Sequence, residues 1–347
     1  MDKTATETKA PATNFRWLIL VTCVATYALI VLGSVVRVTG SGDACPDWPR
    51  CRGDLLPPLE SDVLIEFSHR LLASLVGFLV LATAVAAWRW QRRAPAVVWG
   101  ATAAVALVGG QIVLGGVTVL NDLPSSMVMA HLALASALLA TLLAIAFASF
   151  ASEPVGRPSL AGQGGATAFR NLTFVTALAT FGLMLTGSYV SGSGAGLAFR
   201  DWPLFDGRLL PEGGRLAVIH ATHRLAVVAV GLVLLYTMVR AWRLQRRHRP
   251  AVLTLTLALT LYTAQVLVGA ANIWTLLRPA AGAAHLALAV ALWATLVTVA
   301  LFAHRAAQPA TERARTLVAP APPALAEAPM APRPEAAPGT VPARGPS

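Results

Sequence analysis

Apolar residues run almost unbroken through eight stretches of this chain, near 17–36, 63–87, 96–118, 126–150, 171–190, 216–239, 251–272 and 281–303. Polar and charged residues collect in the gaps between them. Each stretch is about 20 residues or longer, enough for a helix to cross a hydrocarbon core of about 30 Å. The pattern predicts an all-α polytopic membrane protein with eight transmembrane helices. Composition agrees, since 56% of the residues are hydrophobic, 12% are charged and mean hydropathy is +0.64. A soluble domain carries about 25% charged residues.

The eight stretches form two sets of four. His69 and His131 in the first set match His223 and His285 in the second at one constant offset of 154 (223 − 69 and 285 − 131). The same offset carries Gly33-Ser34 onto Gly187-Ser188, Asp47-Trp48-Pro49 onto Asp201-Trp202-Pro203, Leu55-Leu56-Pro57 onto Leu209-Leu210-Pro211, and Gln111 onto Gln265. A gapless shared offset over that length indicates tandem duplication. An even number of spans per copy puts both copies the same way up. The expected architecture is therefore two tandem four-helix bundles related by a pseudo-two-fold axis along the membrane normal. The boundaries follow: a cytoplasmic N-terminal segment at 1–14, repeats at 15–152 and 169–305, a cytoplasmic linker at 153–168, and a disordered tail at 306–347. The tail is rich in Ala and Pro and holds too little apolar surface to fold.

Charge sets the expected orientation. Arg89, Arg92 and Arg93 lie between spans two and three, and Arg240, Arg243, Arg246, Arg247 and Arg249 between spans six and seven. Lys3, Lys9 and Arg16 precede span one. The long loop after span one mixes signs, with Asp43, Asp47, Arg50, Arg52, Asp54 and Glu60. Both termini are therefore expected in the cytoplasm and the two long loops outside. The net charge of +11 reflects this sorting and calls for no nucleic acid. The first apolar run is too long for a signal-peptide core, and span five corresponds to it, so a retained helix is expected.

Ionisable residues inside membrane spans are costly and point to function. His69 and His131 each lie about six residues inside the outer end of a span, roughly 9 Å deep at the helical rise. Two imidazoles at matching height in one bundle suit the two axial positions of a flat metal macrocycle such as haem. The plainer alternative is that each histidine hydrogen-bonds across helices. Arg70 and Arg224 follow His69 and His223 in both copies, and Arg37 stands at the outer end of span one, where its counterpart is Ser191. These guanidinium groups could grip haem propionates or simply snorkel to the interface.

The copies diverge at one informative place. Glu66 precedes His69 by three residues, on the same helical face, whereas His220 precedes His223. A buried carboxylate beside one site can act as a base or stabilise positive charge, or it can merely pair with Arg70. His220 is an alternative ligand one turn from His223; His223 is favoured because it matches His69. Cys45 and Cys51 flank PDWPR in the first outer loop, where Phe199 and Phe205 stand in the second. On the oxidising side of a membrane such a pair can close a disulfide, either structural or redox-active. Cys23, within span one, reads as a packing residue.

EFSHR in span two, HR again in span six, a histidine near the start of spans four and eight, and CPDWPRC in the first outer loop together resemble the heme A synthases, over about residues 15–305. The resemblance implies an enzyme of the plasma membrane that oxidises the C8 methyl of heme O to the formyl of heme A, for terminal oxidases. It implies substrate-haem ligands at His69 and His131 and b-type haem ligands at His223 and His285. Glu66 would be the catalytic carboxylate and Cys45–Cys51 the loop disulfide. It names no electron donor, leaves water and dioxygen open as the oxygen source, and makes heme O synthase a candidate partner. Two rivals remain at this level. A di-haem b-type electron carrier explains the histidines but not the one-sided Glu66, and a transporter with parallel repeats predicts no haem.

Overall fold

A computed structural model describes residues 9–53, 58–150, 162–244 and 249–308. Eight long helices follow in order: α1 (Lys9–Thr39), α2 (Ser61–Trp90), α3 (Pro95–Leu120), α4 (Ser125–Ser149), α5 (Gly162–Gly192), α6 (Arg215–Leu244), α7 (Arg249–Trp274) and α8 (Pro279–Ala307). All eight are long and apolar enough to cross a membrane. The described residues contain no strand; Phe205 and Arg208 form an isolated bridge. Pro95 and Pro279 open α3 and α8, where a missing N–H leaves no hydrogen bond unmade.

The helices extend past the apolar runs because backbone hydrogen bonding continues beyond the hydrocarbon boundary. Thus α5 starts at Gly162, inside the stretch expected as linker. The rest of that linker from 151 to 161, the Leu55-Leu56-Pro57 segment and the tail from 309 lie outside the described residues.

Each repeat closes a ring of helix contacts. α1 packs on α2, α2 on α3, α3 on α4 and α4 back on α1; α5 to α8 repeat this circuit. Each ring has its own apolar centre: Ile19, Val76, Val80, Ala101, Leu142 and Ile145 in the first, Leu234, Leu255, Leu292, Leu296 and Val299 in the second. The repeats meet through α1, α4, α5 and α8, around Ile30, Leu132, Leu139, Met184 and Val290. Tyr27 Oη donates to Ala287 O at 3.1 Å and Ser125 Oγ to Gly192 O at 2.6 Å across that seam. Outward positions such as Trp17, Phe78, Trp99, Phe174 and Trp242 are exposed and apolar, as a lipid-facing surface requires.

The duplication extends to details of local structure. Thr22 and Thr83 join α1 to α2 through their hydroxyls at 3.1 Å, and Thr176 and Thr237 join α5 to α6 at 2.8 Å. Helices α3 and α7 end alike: Leu123 N–H reaches back to Thr118 O and Leu277 N–H to Asn272 O. Asp122, Leu123, Leu276 and Leu277 take left-handed backbone there. These turns return carbonyls to hydrogen bonding where the helix stops. Leu123 then lies against Gly42, and Leu277 against Gly196, in the short 3-10 turns after α1 and α5.

Candidate functional site: two histidine pairs under matching loops

The four span histidines come from α2, α4, α6 and α8, the even helices of the two rings. Each ring is seated on a glycine of the preceding helix. A Cβ placed on Gly33 would stand 3.0 Å from His69 Cε1, on Gly115 3.1 Å from His131 Cε1, on Gly187 3.0 Å from His223 Cε1, and on Gly269 3.1 Å from His285 Cε1. Those separations are tighter than ordinary carbon contacts of 3.5–4.0 Å, so only glycine lets the helices close onto the imidazoles. Gly115 and Gly269 share the 154-residue offset. The offset alone could have flagged them, but it does not say what they touch.

His69 and His131 lie near enough for a charge on one to be felt at the other, and so do His223 and His285. All four rings are only partly buried. Yet Nδ1 of His69, His131 and His285 is buried with no hydrogen-bond partner among the described residues. With Nδ1 covered and Cε1 against glycine, the open side of each of these rings is the Nε2 side. His223 differs: its Nδ1 meets Thr186 Oγ1 at 2.9 Å. Among the described residues no three His, Cys, Asp or Glu side chains gather into a metal cage. Histidines in twos do not enclose a bare ion, which usually takes three or four protein ligands. They do fit a macrocycle that brings its own four nitrogens and needs axial donors.

Above the first pair, the α1–α2 loop is closed on itself by one covalent link and tied to α2 by two side chains. Cys45 and Cys51 form a disulfide. Arg70 donates to the carbonyls of Asp47 at 2.9 Å, Arg50 at 2.7 Å and Cys45 at 2.7 Å, and to Glu66 Oε1 at 2.5 Å. Glu66, only 3% exposed, accepts the Cys45 N–H on Oε2 at 2.8 Å. The Glu66–Arg70 pair, the alternative weighed against a catalytic role, is therefore present, within a larger clamp. Trp48, in the same loop, lies over Gly116 of α3.

Above the second pair the clamp is rebuilt from other residues. Arg224 donates to the carbonyls of Leu204 at 2.7 Å and Asp201 at 2.8 Å, and its Nε reaches His220 Nε2 at 3.2 Å. Phe199 and Phe205 stack edge-on at 4.9 Å where the cysteines stood, with the Arg224 guanidinium over both rings. His220 is buried beside Phe199. Its Nε2 receives Arg224, which leaves His223 as the α6 imidazole with an unengaged Nε2.

Both loops share one further turn. Asp47 accepts the N–H groups of Arg52 and Gly53 at 2.5 and 2.8 Å, and Asp201 those of Asp206 and Gly207 at 2.7 Å each. The glycine N–H is the main reason that both carboxyls, which are partly buried, sit below their ordinary range. The Arg37 guanidinium, at the last turn of α1, forms no hydrogen bond or ion pair with a described residue, although the Arg37 carbonyl accepts the Gly40 N–H. Gln111 donates to His131 O at 3.0 Å, and Oε1 of both Gln111 and Gln265 is buried with no hydrogen-bond partner among the described residues.

Fold and site together define an eight-span helical membrane protein with two duplicated histidine pairs, only one of which has a carboxylate beside it. The chain belongs to the COX15-CtaA family of cytochrome oxidase assembly proteins, whose model matches residues 16–297. Among its relatives, the heme A synthase of Shouchella clausii is 28% identical over 262 residues, covering 74% of this chain and 85% of that protein. The heme A synthase of Symbiobacterium thermophilum is 31% identical over 225 residues, covering 63% and 71%. The heme A synthase of Listeria monocytogenes is 26% identical over 294 residues, covering 83% and 95%.

Proposed function

We propose that the chain is a membrane oxidoreductase, a heme A synthase, which oxidises a methyl group of heme O to the formyl group of heme A. The observation that carries this reading is the pairing of four glycine-seated imidazoles with a single carboxylate, Glu66, in a chain of this family. Two equivalent redox haems would need no such asymmetry, so the plain di-haem carrier is not favoured.

In this reading His69 and His131 hold the substrate, and Glu66, three residues before His69, serves the oxidation at the same site. Its anionic oxygens would neutralise positive charge developing at the methyl carbon or take a proton from an attacking water. The clamp suits that task by fixing the carboxylate between the Arg70 guanidinium and the Cys45 N–H. His223 and His285 would hold a resident b-type haem, which supplies a one-electron redox centre. Arg37 is the better candidate for a propionate of the first haem, since Arg70 and Arg224 would have to exchange loop carbonyls to reach one. The farnesylated substrate partitions into lipid, which favours a site inside the bilayer. Heme O synthase is accordingly the candidate partner on the supply side.

We read the two rings of helices as related by a pseudo-two-fold axis along the membrane normal. Both termini are placed in the cytoplasm of a plasma-membrane protein, on the strength of the arginines at the α2–α3 and α6–α7 connections.

The test is mass analysis of haem extracted from the full chain after co-expression with a heme O synthase in a host without heme A. Heme A, or its hydroxylated precursor, is expected. Haem B alone would turn the assignment towards an electron carrier, and no haem would end it.

A further inference from the structure

We propose that Thr186 is a positioning residue that holds His223 in the tautomer able to bind iron, and that its absence from the first repeat makes His69 the more easily released ligand. The proposal rests on the reading that both histidine pairs hold haem.

Thr186 lies on α5, one residue before the glycine that seats His223. Its Oγ1 is 2.8 Å from Leu183 O and 2.9 Å from His223 Nδ1. A hydroxyl has one hydrogen, and a carbonyl oxygen can only accept. The Thr186 hydrogen therefore goes to Leu183, and the oxygen presents a lone pair to the imidazole. His223 must answer with Nδ1–H. In a neutral ring that leaves Nε2 unprotonated, the form that ligates a metal. An acceptor on the far nitrogen also fixes ring orientation and raises ligand basicity.

Among the described residues the other three rings have no such partner. Nδ1 of His69, His131 and His285 is buried and unpaired, and His285 has only the Gln265 main chain nearby, outside a completed hydrogen bond. Position 32, which matches Thr186, holds leucine, so the first repeat offers no acceptor there. The difference follows the work asked of each site. A cofactor has to stay, whereas a product has to leave.

The measurement uses the full chain with His69→Ala and His131→Ala, so that bound haem reports on the second pair alone. Release to excess apomyoglobin and the midpoint potential of the haem are compared for the parent, Thr186→Val and Thr186→Ser. Valine keeps the shape and removes the acceptor; release about 10–100-fold faster is expected, with a more positive potential because the ligand donates less. Serine is expected to restore both. A valine variant with unchanged release and potential would overturn the proposal. Adding His223→Ala separates the two levels: if haem persists without His223, the assignment of the site is wrong and the role of Thr186 falls with it. Should the valine variant not accumulate, Leu32→Thr in a chain with His223→Ala and His285→Ala gives the reverse test. Slower release from the first site is expected, and unchanged release would count against the proposal.

Discussion

The α1–α2 and α5–α6 loops perform one mechanical task with different chemistry. Both lie over a histidine pair, both are held by an arginine one residue past the α2 or α6 histidine, and both turn on an aspartate that caps two N–H groups. The first loop adds a disulfide and a buried carboxylate, and the second adds two phenylalanines and a buried histidine. Arg70 and Arg224 are thus structural constants, and what changes is the group they brace. In the first repeat that group is an anion next to His69. In the second it is an imidazole whose Nε2 is occupied by Arg224. The scaffold was duplicated, and only the first copy carries a carboxylate at this place.

The largest expected effect separates the copies at that group. Glu66→Gln keeps the shape and the Arg70 contact but removes the charge, and heme A formation is expected to fall by about 100-fold or more. His220→Gln is expected to change it only a few-fold. Haem extracted from both variants gives the comparison; equal activity in the two would reduce Glu66 to a loop fastener.

A smaller effect should be shared. Gly33→Ala and Gly187→Ala each push a methyl into a histidine ring, and haem occupancy at the matching site is expected to drop by about 10-fold, the scale of other disturbances around a metal ligand. Absorbance of each purified variant reads this directly. Loss in only one repeat would break the equivalence of the glycine seats.

The covalent fastening comes next. Cys45→Ser with Cys51→Ser is expected to destabilise the first loop by about 2 kcal/mol, while Phe199→Leu costs the second about 1 kcal/mol of aromatic contact. Hydrogen exchange in each loop distinguishes them. Protection in the first loop that survives loss of the disulfide would show that the Arg70 and Glu66 contacts suffice to hold it.

The smallest effect is expected to be the same on both sides. Asp47 and Asp201 have carboxyls held below the ordinary range by backbone N–H groups. Such a group stabilises the fold while ionised, above its ordinary value of about 4, and the contribution disappears as pH falls through the lowered value. Both loops should therefore loosen together in acid, and Asp47→Asn or Asp201→Asn should mimic this in one loop at neutral pH. Fluorescence of Trp48 and Trp202 follows the change. Acid loosening confined to one loop would end the symmetry of the turns.

Much of the architecture was legible in the chain because it rests on local composition. Eight apolar runs became eight helices, since a segment that must satisfy its own backbone in lipid has little choice but to coil. The constant offset identified four histidines and the exchange of Glu66 for His220. Other features were present as letters without meaning. Gly115 and Gly269 obey the offset, but nothing local connects them to His131 and His285. Thr186 reads as one more threonine in a span, and its partner lies 37 residues away. Arg70 and Arg224 invited a propionate role because guanidinium chemistry is general, and only tertiary contacts reveal the loop carbonyls they hold.

The amino-acid sequence by itself determined the helices, their duplication and the donor types, because hydrophobicity and residue identity act along the chain. Only the tertiary structure decided which glycine seats which imidazole, which ring nitrogen stays unengaged and which residue each arginine braces. Those outcomes depend on helices meeting at contact distance, where one Cβ, one hydroxyl hydrogen or one carbonyl settles the geometry.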